Sequence, residues 1–91
     1  MTRKQSNIND KLSREYGLLV GVEGELYYIQ QSRYVYIFVE LLPSGVWEAR
    51  KEYFVKDKQK AIRVATIWTN RSLGIVLDKV SMQLSYLNNG R

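Results

Sequence analysis

Apolar and polar residues alternate most regularly between Tyr27 and Phe54, where two runs of β-branched and aromatic residues flank Leu42-Pro43-Ser44-Gly45. The run 34–42 is the best strand of the chain, nearly every residue being β-branched, aromatic or Leu. Period-two alternation sends Val35, Ile37, Val39 and Leu41 to one side and Tyr34, Tyr36, Phe38 and Glu40 to the other. A strand this apolar on both sides belongs in the middle of a sheet, with its aromatic side covered. Pro43 presets φ for the first central position of a turn and Gly45 relieves strain where φ is positive, so 46–54 returns as an antiparallel partner. Its sides are Trp47, Ala49, Lys51 and Tyr53 against Val46, Glu48, Arg50, Glu52 and Phe54, and it reads as half exposed.

Upstream, Leu18–Val22 and Glu25–Gln31 read as an interrupted strand or tight hairpin in which Gly21 and Gly24 mark a bend or bulge. Ile8 and Leu12, four apart, predict a short helix that starts after a cap at Ser6 or Asn7 and stops before Gly17, leaving residues 1–5 as a flexible arm. Segment 57–71 fits two templates. As a helix it has Asp57 at the N-cap and a stripe of Ala61, Val64, Ala65 and Trp68; as a strand, Ile62, Val64, Thr66 and Trp68 alternate with Arg63, Ala65, Ile67 and Thr69. The helix is preferred, because a sheet needs a layer over its apolar face and this is the longest segment available. A short terminal helix follows from Asp78, with Leu77, Val80, Leu84 and Leu87 at steps of three and four. The expectation is a small α+β domain spanning residues 1–91: an antiparallel sheet of three or four strands, one main helix packed on it, and short terminal helices.

Composition narrows the chemistry. With 91 residues, no Cys and no His, the chain has no thiol nucleophile, no imidazole base and no His or Cys metal ligand. Glu23 with Glu25, and Glu48 with Glu52, are carboxylate pairs of a kind that can hold Mg²⁺ or share acid and base roles, but such pairs are far commoner as solvated strand residues. No phosphate-loop, dinucleotide-binding or zinc-finger spacing occurs. A non-enzymatic protein without metal or cofactor is therefore expected, and, with no long apolar segment, a cytoplasmic one without membrane contact.

Net charge is +5, unevenly placed. Residues 17–49 carry Arg33 against four glutamates, net −3, whereas residues 50–63 carry six basic residues against Glu52 and Asp57, net +4. This concentration predicts a nucleic-acid-binding or regulatory domain, for DNA or RNA, with Arg50, Lys51, Lys56, Lys58 and Lys60 on phosphates and Arg63 on a phosphate or a base edge. Arg3 and Lys4 would add attraction from the arm. The second reading is a protein-interaction or assembly subunit, a homodimer or a complex with another chain, joined through Tyr34, Tyr36 and Phe38. So short a chain supplies at most one cover for a strand that is apolar on both faces.

Overall fold

A computed structural model describes residues 2–56 and 60–89. The elements run α1 (Arg3–Glu15), β1 (Leu19–Val22), β2 (Leu26–Ser32), β3 (Val35–Leu41), β4 (Trp47–Tyr53), β5 (Arg63–Asn70) and α2 (Leu73–Asn89). The strands form one antiparallel meander in the order β1-β2-β3-β4-β5. The α+β class agrees with expectation, but there are five strands where three or four were expected, and the two helices are those at the ends of the chain, with no main helix between them among the described residues.

The alternation in β3 and β4 holds residue by residue. Ile37 pairs with Lys51 and Val39 with Ala49 on one face, and Tyr36 pairs with Glu52 and Phe38 with Arg50 on the other. Both helices cover the first face. Val76, Leu77 and Val80 of α2 are buried with Tyr27, Ile37, Val39, Trp47 and Ala49, while Leu12 and Tyr16 of α1 pack against the same cluster. The aromatic side of β3, expected to be covered, is the one that no element covers. The branched aliphatic side makes the tighter seat for a helix, and the rings instead pack on one another.

Segment 57–71 is the largest departure. Ile62 leads into a strand, β5, which pairs with β4 along its whole length from Tyr53↔Arg63 to Trp47↔Asn70. Local helix propensity yields here to the second edge of β4, whose backbone groups need partners and whose register suits the β-branched alternation of 62–69. Asp57, the expected cap, lies outside the described residues. With β5 added, β4 becomes an interior strand instead of a half-exposed one. The cover expected from 57–71 comes from α2, which starts at Leu73 instead of Asp78; the Ser72 hydroxyl accepts from Ile75 N–H at 3.4 Å.

α1 begins earlier than the sequence suggested. The Thr2 hydroxyl accepts from Gln5 N–H at 3.1 Å, so Thr2 is the cap and residues 3–5 are the first turn. Its end is a Schellman turn: Gly17, at φ 89°, donates to Arg14, and Leu18 N–H donates to Ser13 C=O. Leu18 then enters the core at 2% exposure. Gly45, at φ 87°, closes the β3–β4 turn by donating to Leu42 C=O at 2.9 Å. Between β1 and β2 the register slips at Gly21, the bulge that the glycine suggested.

Two polar links fasten α1. Buried Asp10 accepts from Gly24 N–H at 2.8 Å and from the Tyr27 hydroxyl at 2.6 Å, tying the helix to the β1–β2 turn and to the core. At the other end the Tyr16 hydroxyl donates to Asp78 of α2, which holds the Tyr16 phenol above its ordinary pKa. Burial first, and the bond to Asp10 second, raise the Tyr27 phenol above its ordinary 10.0. The folded chain therefore keeps this proton after the unfolded chain has begun to lose it. Stability from Tyr27 is complete below about pH 10 and is lost as pH rises further. Denaturant midpoints across the phenol range, roughly pH 9–11, should fall more steeply for the native chain than for Tyr27→Phe; parallel curves would show that this phenol is not linked to folding.

Candidate interaction surfaces

Arg50 projects from the middle of β4 onto the uncovered face, where three carboxylates surround it. Its Nη1 lies 2.8 Å from Glu40 and 3.5 Å from Glu48, and its Nε lies 2.6 Å from Glu52. The guanidinium also rests 5.4 Å from the centre of the Phe38 ring. Burial alone would lower the Arg50 pKa, but the bonds to Glu52 and Glu40 outweigh it and hold the group charged. The arrangement has a structural reason: register places Glu40 directly opposite Glu48, a like-charge pair that a sheet does not tolerate without a cation between them. One guanidinium among three carboxylates leaves this patch net negative.

Lys51 follows Arg50 and must face the other way. It is 8% exposed on the helix-covered face, beside Ile37 and Ala49. Lys56 and Lys60 are exposed, and Lys58 lies outside the described residues. Arg63 is exposed at the start of β5, with its guanidinium 5.1 Å from the centre of the Tyr53 ring. The six basic positions between 50 and 63 thus do not share one face. Arg50 is neutralised on one side of the sheet, Lys51 is sequestered on the other, and Lys56, Lys60 and Arg63 remain at its margin.

Of the three aromatic positions, Tyr36 and Phe38 do meet on the uncovered face. With Tyr28 and Phe54 they form a strip of contacting rings, the centroids 5.8–6.2 Å apart. Tyr34 sits at the β2–β3 turn, before the start of β3, under the guanidinium of Arg33. The strip is half-buried by its own contacts and by Arg50.

Exposed apolar side chains flank β5 on both faces of the sheet, where a helix was expected. Val64, opposite Glu52, is 56% exposed on the uncovered face, whereas Trp68, opposite Ala49, is 43% exposed on the helix-covered face, where the flank of α2 presents Ile75 at 44% and Met82 at 61%; Ile62, just before the strand, is 60% exposed. A bulge opposite Ala49 inserts Ile67, so that Ile67 and Trp68 both turn toward α2. Together with Lys79, Met82 and Gln83 they line a groove of about 290 Å³. Lys79 Nζ lies 4.4 Å from the centre of the Trp68 ring. Beside the groove runs the outer edge of β5, eight residues long and last in the sheet order, so its outward N–H and C=O groups have no strand partner among the described residues. The opposite edge, β1, is four residues long and interrupted by the bulge at Gly21.

The signal for this surface is present in the chain: β-branched alternation from Ile62 to Thr69, and no acidic residue between Asp57 and Asp78. Among the described residues no group of His, Cys, Asp and Glu is placed to hold a metal, and no helix is long and apolar enough to cross a membrane. Comparison with known proteins finds no matching family model, no matching curated protein and no matching solved structure.

Removing the cation from the glutamate cluster is informative. Arg50→Met should lower stability by roughly 1–2 kcal/mol, since Glu40 and Glu48 then face each other unpaired. Added salt should restore part of the loss in denaturant titrations. An unchanged midpoint at low salt would mean that the cluster contributes nothing.

Proposed function

We propose that this chain is a non-enzymatic protein-interaction or assembly subunit that takes up an extended segment of a partner on the free edge of β5. The observation that carries this reading is an eight-residue edge without a strand partner among the described residues, with exposed apolar side chains on both of its flanks: Val64 on the uncovered face, and Trp68 with Ile75 and Met82 on the helix-covered face. An open edge supplies directional main-chain hydrogen bonds, and alternate side chains of an added strand find pockets beside it. Trp and Met are also the residue types that interfaces favour over ordinary surface. Soluble chains ordinarily blunt such an edge with an inward charge, a proline or a bulged and shortened strand; β1 is both short and bulged, whereas β5 has a bulge at Ile67 but keeps eight residues, has no proline and carries a charge only at Arg63.

The nucleic-acid reading has less support. Its phosphate contacts required one continuous basic face, and Arg50 and Lys51 lie on opposite sides of the sheet. Base stacking required free rings, but Arg33, Arg50, Arg63 and Lys79 already rest on Tyr34, Phe38, Tyr53 and Trp68. The aromatic strip of β3 supports a protein contact less well than β5 does, because Arg50 and its glutamates lie over and beside it.

Photo-crosslinking residues placed at Val64, Met82 and, as a control on the exposed side of α1, Lys11 distinguish the readings in the native cell. Adducts from Val64 and Met82 that protease removes and nuclease leaves, with none from Lys11, are expected. Nuclease-sensitive adducts, or equal yields from all three positions, would overturn the proposal.

A further inference from the structure

We infer that the segment docked on β5 is an extended strand of another protein with an uncharged, β-branched middle and carboxylates at both ends. This rests on the reading of β5 as a docking edge and adds the chemistry of its occupant. Arg63 opens β5 and Arg71 follows its last residue, about 26 Å away along an extended chain. The Arg63 guanidinium rests on the Tyr53 ring of β4 and that of Arg71 lies against Gly45 in the β3–β4 turn, so both sit at the ends of the strand and must swing outward to meet an added strand. The residues between them, 64–70, are uncharged. Lys79 stands on the flanking helix beside Trp68, and Lys60 is exposed upstream. Among the described residues none of these four cations is in an ion pair, whereas Arg50 engages three carboxylates. The strand is therefore uncharged along its length with an unpaired cation within side-chain reach of each end, and the complementary strand is uncharged in the middle with negative ends.

A second copy of this chain fits less well. Antiparallel pairing of two β5 strands sets Arg63 of each against the end of the other, where Arg71 lies, so like charges meet at both ends of the contact. A single-stranded polynucleotide suits the cations but not the edge, since it offers no alternating donors and acceptors at strand spacing. It would also have to displace Lys79 from Trp68 to stack there.

The test titrates the full chain with two synthetic ten-residue peptides that share an alternating Thr-Val middle, one bearing Glu and the other Lys at both ends, with residue-resolved NMR as the readout. The Glu-ended peptide should bind about tenfold more tightly, as expected for two attractive pairs replacing two repulsive ones at partly exposed positions. The advantage should shrink as salt rises, and the shifts should be confined to β5 and the Trp68–Met82 groove. Arg63→Gln with Arg71→Gln should reduce the advantage to less than about twofold, while binding of the Lys-ended peptide improves. Equal binding of both peptides to β5 would overturn the acidic-strand inference and leave the docking edge standing. So would a concentration-dependent dimer that Val64→Lys dissociates, which names a second copy as the occupant. Failure of both peptides to bind, or shifts centred away from β5, would overturn the docking edge as well.

Discussion

Successive residues of a strand face opposite ways, and most of this molecule follows from that. In β4 the rule separates Arg50 from Lys51, neighbours in sequence that end on opposite sides of a sheet. It also sorts β3 into an aliphatic face that accepts two helices and an aromatic face that receives none. The uncovered face is not simply left wet. Its rings pack edge and face against one another, and Arg50 closes over Phe38 while neutralising glutamates that register forces together. Positive charge that looks like a binding patch in the linear chain is spent, at its centre, on holding the sheet together.

The two margins of the sheet are treated differently. On the β1 side, α1 is fastened to the β1–β2 turn and the core through Asp10, and to α2 through Tyr16 and Asp78, and the strand itself is short and bulged. On the β5 side the strand is long, its outward backbone is unpaired, and apolar side chains from both β5 and α2 remain in water. Apolar side chains are exposed on the β1 side as well, at Ile8, Leu19 and Val22, so what sets the β5 side apart is the length of its edge and the groove between Trp68 and Met82.

Much of the centre of the fold was legible in the residues. The alternation in 34–42 and 46–54, the turn at Pro43–Gly45 and the glycines of the β1–β2 hairpin all act through neighbours close in sequence. What escaped was decided at long range. Segment 57–71 satisfies helix and strand templates alike, and the choice falls to the free edge of β4, which no local pattern reports. Gly74, a residue type that commonly ends helices, occupies the first turn of α2, after a cap at Ser72. The basic run 50–63 was visible as composition, yet its meaning depended on face. The same period-two argument that sorted β3 separates Arg50 from Lys51, whereas the pairing of Arg50 with Glu40 needed the register of two strands.

The account turns on whether the outer side of β5 is unpaired in solution, and residue-resolved amide hydrogen exchange of the purified chain measures this directly. Amides of β5 that point toward β4 should be protected and those that point outward should exchange rapidly, with no change as protein concentration is raised. Uniform protection along 63–70, or protection that grows with concentration, would mean that the edge is already occupied and would contradict the account.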